Sequence, residues 1–108
     1  MIADVLRMSV SPGWLWMHYP AGEYRRKATA GRLKRMGVKP GVSDFLLIAP
    51  HGGQLHALEL KRRGRTPSDD QFDFLRQVKE AGGKAAWCDN FDDAMVILKN
   101  WGAVRITL

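Results

Sequence analysis

The chain has 108 residues, of which 45% are hydrophobic and 26% charged, and its formal net charge is +6 at pH 7. This composition excludes a disordered polypeptide and is typical of one globular domain, so we expect residues 1–108 to form a single domain. The single cysteine excludes an intrachain disulfide framework and favours a reducing, cytoplasmic setting, and the lack of a long apolar run predicts no membrane contact.

The positive charge is unevenly distributed along the chain. Residues 1–65 contain twelve Lys or Arg against four Asp or Glu, whereas residues 66–108 contain five against seven. A basic surface beside a small acidic pocket suits a polyanion such as nucleic acid, with a cation in the pocket. The alternative is a soluble basic domain without such a ligand.

The first forty residues predict a helix, a strand and a basic segment. Apolar periodicity from Ile2 to Val10 predicts a helix, which Ser11-Pro12-Gly13 ends. The aromatic run Trp14–Tyr19, followed by Pro20, predicts a strand. The basic segment Ala28–Met36 predicts a short helix or a structured loop, ended by Gly37.

Two apolar runs on either side of Gly52-Gly53 predict a β-hairpin. A turn centred between these glycines places Asp44 opposite Lys61, and Glu59 opposite Leu46. Directly paired residues share a face of a sheet, as do residues two apart on one strand. We therefore expect Asp44, Glu59 and Lys61 to lie on one face at the open end of the hairpin.

The apolar surroundings of these three charged residues point to a metal site. Carboxylates inside strands covered on both faces are costly unless they are paired or bound to a cation. Two carboxylates suit Mg²⁺ or Mn²⁺, which bind a phosphate oxygen and lower the pKa of a water. The alternative is that Asp44 is a turn residue, with Glu59 and Lys61 as an edge-strand ion pair. The residue types alone favour neither.

The remaining residues predict two helices and two strands. Ser68 and Gln71 form a capping box at the start of a helix that Gly82-Gly83 ends. Lys84–Cys88 predicts a strand, and Asp89 or Asn90 caps a further helix. Val104–Leu108 predicts a last short strand. The order of elements predicts an α/β domain with a mixed central sheet and helices on both faces.

The motifs together resemble the VRR-NUC (virus-type replication-repair nuclease) family of the PD-(D/E)XK nuclease superfamily, over roughly residues 18–101. The resemblance rests on Gly41-Val42-Ser43-Asp44, on Glu59-Leu60-Lys61 and on Ser68 with Gln71. His18–Gly22 resembles the family's H-x-P-N-G segment, and Lys34–Gly41 its L-K-x-x-G-x-K-x-G run. The resemblance implies a restriction-endonuclease-like fold.

The chain departs from the family pattern at two positions. Ser43 replaces the proline of the name-giving dipeptide, a change that the superfamily tolerates. The family's first-helix glutamate has no counterpart, so either Asp4 replaces it with a shorter reach or the site is without that carboxylate. Of the three histidines, only His18 is a candidate for lining the site, and a role outside the site is the expected one for it as well.

The resemblance assigns roles to individual residues. Asp44 and Glu59 would bind the metal together with the carbonyl oxygen of Leu60. Lys61 would position the attacking water or help to deprotonate it, and Gln71 would orient Lys61 or the phosphate while also capping its helix. The candidate phosphate contacts are the basic residues Arg25, Arg26, Lys34, Arg62, Arg63 and Arg65.

The resemblance also implies an activity and its partners. It predicts a Mg²⁺- or Mn²⁺-dependent DNA endonuclease without an organic cofactor, acting as a homodimer on branched DNA such as four-way (Holliday) junctions in DNA repair. Its place would be the bacterial cytoplasm, or the host cell of a virus or phage. Two alternatives remain: a non-catalytic DNA- or junction-binding protein with an incomplete metal site, and a nuclease subunit that needs a partner protein.

Overall fold

The computed structural model describes residues 1–20, 31–32 and 35–105. The helices and strands of these residues follow one another in the order that the sequence predicts, except for the last strand. In chain order they are α1 (Ile2–Ser9), β1 (Leu15–His18), β2 (Phe45–Ile48), β3 (Leu55–Leu60), α2 (Asp69–Glu80), β4 (Lys84–Cys88) and α3 (Phe91–Asn100).

The four strands form one mixed sheet in the order β1-β2-β3-β4. The first three strands are antiparallel to their neighbours, and β4 runs parallel to β3 after the crossover through α2. This arrangement confirms the expected α/β fold with a mixed central sheet. Among the described residues, β1 and β4 are the two edges of the sheet.

The register of the hairpin differs from the predicted one by two residues. Phe45 pairs with Leu58, and Leu46 pairs with Ala57 instead of the predicted Glu59. The turn is centred one residue earlier than Gly52-Gly53, because His51 also adopts a left-handed backbone conformation with φ 60°. The predicted pairing of Asp44 with Lys61 is therefore wrong, but a shift of two residues keeps each side chain on its predicted face.

Helices cover both faces of the sheet. On one face, α1 and α3 pack against β2 and β3 through buried side chains such as Leu6, Leu47, Leu58 and Leu98. On the other face, Leu75 and Val78 of α2 pack on Ala57. Alternate residues of β3 thus enter two separate apolar layers, which explains its almost continuous burial.

The predicted last strand and the predicted basic segment extend beyond the described residues. The last strand is wrong for the residues described, because Val104 forms one isolated bridge with Val10, while residues 106–108 lie outside the described part. Most of the basic segment 28–36 also lies outside it, so its predicted conformation stays a prediction. No helix among the described residues is long and apolar enough to cross a membrane.

Candidate functional site

Asp44 and Glu59 lie next to each other at the open end of the hairpin. Asp44 directly precedes β2, and continuing the observed register places it opposite Glu59. The Leu60 N–H donates to Asp44 Oδ2 at 2.8 Å, and the Tyr19 N–H donates to the Asp44 carbonyl at 2.7 Å. These bonds fix the Asp44 carboxylate over the end of β3.

Gln71 connects the start of α2 to both Lys61 and Glu59. Its Oε1 accepts from the Ser68 N–H at 2.8 Å and from Lys61 Nζ at 3.2 Å. Its Nε2 donates to Glu59 Oε2 at 3.4 Å. The Ser68 hydroxyl in turn accepts from the Gln71 N–H, which completes the predicted capping box. One side chain therefore caps the helix and holds two charged groups in place.

Glu59 is buried in an environment that disfavours its charged form. The side chain is 2% exposed, and its Oε1 has no hydrogen-bond partner among the described residues. Burial, followed by the nearby charge of Asp44, raises the pKa of Glu59 to about 8, while the Lys61 ammonium opposes this effect. At neutral pH the carboxyl group is therefore mostly protonated in the absence of a metal ion.

These features fit a hard divalent cation. A cation between the two carboxyl groups would offset their repulsion and give Glu59 Oε1 a partner. Within the described residues no cluster of three or more His, Cys, Asp or Glu side chains could hold a metal. Asp44 and Glu59 would thus supply the side-chain ligands, and backbone oxygens, such as the predicted Leu60 carbonyl, and water would supply the rest.

The structure places Asp4 away from this pair. Its side chain is 64% exposed and its Oδ1 accepts from Arg7 Nη1 at 3.0 Å. The residues of α1 that line the cavity beside Asp44 are Ile2 and Ala3, together with the N-cap residue Met1. The carboxylate of Asp4 is thus paired on the surface in this conformation.

His18 and Ser43 are two residues beside the site whose sequence signals are weak. His18, at the end of β1, lines the cavity beside Asp44, and its ring stacks on that of Phe45 with centroids 4.7 Å apart. Its position in the matched H-x-P segment is the signal that distinguishes it from the other two histidines. Ser43 is fully buried, and its hydroxyl has no partner among the described residues.

The predicted DNA contacts are only partly within the described residues. Arg62, Arg63 and Arg65 are exposed in the loop between β3 and α2. This loop is held by the Gly64 N–H, which donates to Asp89 Oδ2 at 2.9 Å. The loop follows Lys61 directly in the chain, and the charge of Arg63 lies near the carboxylate of Asp89. The other candidate contacts, Arg25, Arg26 and Lys34, lie outside the described part of the chain.

Comparisons with known proteins agree with this architecture. The sequence model of the VRR-NUC domain matches residues 4–92. A solved structure described as a VRR_NUC domain protein superimposes with a TM-score of 0.64 at 20% sequence identity, over 84% of this chain and 75% of that one. No curated protein matches the chain. The family match spans most of the chain and includes Asp44, Glu59, Lys61 and Gln71, and the chain therefore belongs to the VRR-NUC family of nuclease domains.

Proposed function

We propose that the protein is a Mg²⁺- or Mn²⁺-dependent DNA endonuclease that acts on branched DNA as a homodimer. The observation that carries this proposal is the buried Glu59 carboxyl beside Asp44, with an oxygen that lacks a partner among the described residues and a link to Lys61 through Gln71. Such a pair suits a divalent cation, and a lysine beside it suits the chemistry of phosphodiester hydrolysis.

Each residue has a defined part in the proposed reaction. Asp44 and Glu59 hold the cation, which when bound supplies a Lewis acid for the phosphate and lowers the pKa of a water. Lys61 holds the attacking water or stabilises the negative charge that develops on the phosphate. Gln71 keeps the Lys61 ammonium at the site, because its Oε1 accepts from Nζ at 3.2 Å.

The reaction is the addition of water across one phosphodiester bond. A water oxygen forms the new bond to phosphorus, the bond to one bridging oxygen breaks, and the leaving oxygen ends as a hydroxyl by taking a proton. One product strand keeps the phosphate and the other keeps the hydroxyl. The exposed arginines that follow Lys61 would hold the flanking phosphates without reading bases.

The homodimer would present two such sites to two strands. A two-fold dimer matches the symmetry of a four-way junction. The sheet provides two edge strands, β1 and β4, for association with a second copy. The exposed apolar side chains Leu15 and Met17 on β1 make that edge a candidate contact surface.

A second candidate function is non-catalytic binding of branched DNA. It is favoured by one observation, that the carboxylate of Asp4 is engaged by Arg7 at the surface, which leaves two side-chain ligands at the site. The fold and the basic loop would then serve binding alone. A nuclease that needs a partner protein for targeting is a third possibility. In that case the metal site would be complete, but the purified chain alone would cleave DNA slowly.

The test compares DNA cleavage, Mn²⁺ binding and DNA affinity in the wild type and in a variant that lacks the Glu59 carboxyl group. Purified protein should nick DNA when Mn²⁺ or Mg²⁺ is added and stop when a chelator is added. Glu59→Gln keeps the size of the side chain, and because Glu59 is mostly protonated without metal, the variant should fold normally. It should lose cleavage and calorimetrically measured Mn²⁺ binding but keep most of its DNA affinity. Unchanged Mn²⁺ binding in Asp44→Asn and Glu59→Gln would overturn the site assignment.

A further inference from the structure

A cavity of about 470 Å³ opens beside Asp44 and Lys61, on the side of the sheet that α1 and α3 cover. It lies between the first residues of these two helices and the ends of β1, β2 and β3. This volume is within the range of small-ligand sites. Glu59 points into the opposite layer, so the cavity is a neighbour of the carboxylate pair and not the metal site itself.

The walls of the cavity are mostly apolar and include aromatic rings. Phe45 and the exposed Phe91 line it, together with His18, whose ring is stacked on Phe45 at an angle of 15°. One face of the His18 ring lies on Phe45, and the residue is exposed, so a flat group could stack on its other face. Phe91 is 49% exposed, so its ring is accessible to a ligand that enters the cavity.

Asp44 and Lys61 border both the proposed metal site and this cavity. A phosphate held for hydrolysis at these residues therefore has its neighbouring nucleotide within reach of the cavity. An occupant must combine a flat apolar surface with an anionic connection to the Lys61 side. A nucleobase attached to its own backbone phosphate has this combination, whereas an apolar peptide segment does not.

We propose that the cavity binds an unpaired nucleobase next to the scissile phosphate, stacked against the rings of His18 and Phe91. A base in a continuous duplex is stacked and paired, and its removal costs free energy that an already unpaired base does not require. The cavity thus selects DNA with an unpaired nucleotide at the cleaved position. This inference rests on the proposed nuclease function and names the feature of branched DNA that the site recognises.

The test measures whether the protein binds bases as well as phosphates. The probes are a short oligothymidylate and a strand of the same length whose sugars lack bases, so that both carry the same phosphate charge. Stacking of one base on an aromatic side chain contributes enough that we expect the wild-type chain to bind the thymidine strand about tenfold more tightly. Fluorescence anisotropy at one fixed salt concentration gives both affinities.

Variants decide whether the preference for bases arises in this cavity. Phe91→Ala should remove most of the tenfold preference by weakening binding of the thymidine strand only, and Phe91→Tyr should keep the preference because the ring remains. The matched control is Phe72→Ala, which removes another exposed phenylalanine that contacts Trp87 on the opposite face of the sheet. This control should leave both affinities unchanged.

The outcome distinguishes this inference from the proposed function. Equal binding of the two strands by the wild-type chain, or a preference that Phe91→Ala leaves intact, would overturn the cavity assignment even if metal-dependent cleavage is present. Conversely, a preference that depends on Phe91 would support the cavity even if the chain does not cleave DNA. Where cleavage is present, Phe91→Ala should lower kcat/KM for a substrate with an unpaired nucleotide and leave an abasic substrate unaffected.

Discussion

Gly41 lies directly against the backbone of Asp70, so that a Cβ added at Gly41 would lie 2.2 Å from the Asp70 carbonyl oxygen. Asp70 is the second residue of α2 and precedes Gln71. The segment that leads into Asp44 therefore packs on the helix start that carries Gln71. This contact sets the distance between the two halves of the site, and it requires a residue without a side chain.

Gly41→Ala should destabilise the fold and displace the start of α2. Gly41 has φ +74°, which costs an alanine about 1 kcal/mol, and the collision with backbone adds to that cost. We expect a total loss of about 2 kcal/mol or more in the free energy of unfolding, measured with denaturant. In the control Gly82→Ala, φ is +96° but no described residue lies within 4 Å of the new Cβ, so this variant should lose only the smaller, conformational part of the stability. Equal losses in both variants would mean that the contact with Asp70 is unimportant.

The hairpin shows how far the sequence alone determines the site. The register predicted from Gly52-Gly53 is wrong by two residues, since the left-handed conformation at His51 moves the centre of the turn. The shared face of Glu59 and Asp44 is nevertheless predictable, because side-chain direction depends only on whether the shift is even. An odd shift would have separated the two carboxylates.

Other features of the site depend on tertiary contacts that no local pattern encodes. The raised pKa of Glu59 arises from burial beneath α2 and from the nearby Asp44, fifteen positions earlier in the sequence. The cavity combines the starts of α1 and α3, which lie near opposite ends of the chain. The helix caps at Ser68 and Asn90, by contrast, involve neighbours three residues apart and are predictable from the sequence.

Lys61→Met should slow the proposed reaction without weakening the binding of substrate. Methionine keeps most of the side-chain length but removes the ammonium group that Gln71 holds. We expect kcat to fall by about a hundredfold or more with little change in KM, because the charge would act mainly in the transition state. Steady-state kinetics with Mn²⁺ measures both constants, and Lys79→Met at the other end of α2 is the control. Lost affinity with an unchanged kcat would instead indicate a phosphate contact.

His56 should make the stability of the protein depend on pH. Its ring is buried and contacts the rings of Trp14 and Trp101 edge-on. Desolvation lowers the pKa of His56; the hydrogen bond with the Gln54 carbonyl raises it by less, and the charge of Lys84 adds a smaller lowering. The unfolded chain therefore binds a proton near pH 6.5 more readily than the folded chain does. The stability contributed by neutral His56 is present above pH 6.5 and is lost as pH falls towards the lower folded-state pKa.

Denaturant unfolding of metal-free protein between pH 5 and 7.5 tests this dependence. The slope of stability against pH that is due to His56 can reach at most about 1.4 kcal/mol per pH unit. The raised pKa of Glu59 makes stability fall with rising pH over the same range, so the contribution of His56 is read from the difference between wild type and variant. The stability of the wild type relative to His56→Gln should decrease as pH falls below 6.5, and His51→Asn in the exposed turn is the control. Parallel curves for the wild type and His56→Gln would show that the buried imidazole does not titrate in this way.

The proposed homodimer should be visible as a doubled mass in solution. Each chain is 12.2 kDa, so light scattering at micromolar concentration should give about twice that mass. Leu15 is 56% exposed on edge strand β1, and Leu15→Lys should shift the equilibrium towards monomer if this edge forms the contact. Val96→Lys, at a side chain on α3 that is 55% exposed, is the matched control and should leave the mass unchanged. If light scattering gave only the monomer mass of 12.2 kDa for the wild type at these concentrations, the stable dimer would be ruled out.

The exposed arginines after β3 should bind DNA through its phosphates and not through its bases. We expect Arg62→Glu with Arg63→Glu to weaken binding to all sequences alike, and to reduce the slope of log affinity against log salt by roughly 0.9 for each phosphate that the protein no longer neutralises. Lys79→Glu, at the far end of the 12-residue helix α2, reverses one charge away from the site, half of the charge change in the double variant, and is the control. It should leave the slope nearly unchanged.

The same binding assay tests the preference for branched DNA. A four-way junction and a linear duplex of the same sequence compete for the protein at matched salt, and the junction should bind more tightly and be cut faster. The reason is that a junction offers phosphates from several arms to the basic loop, and the base pairs at its centre open more easily than those of a continuous duplex. Equal affinity and equal cleavage would exclude junction selectivity while leaving a general nuclease in place. A strong preference for one linear sequence would instead indicate base reading, which backbone contacts by Arg62 and Arg63 cannot provide.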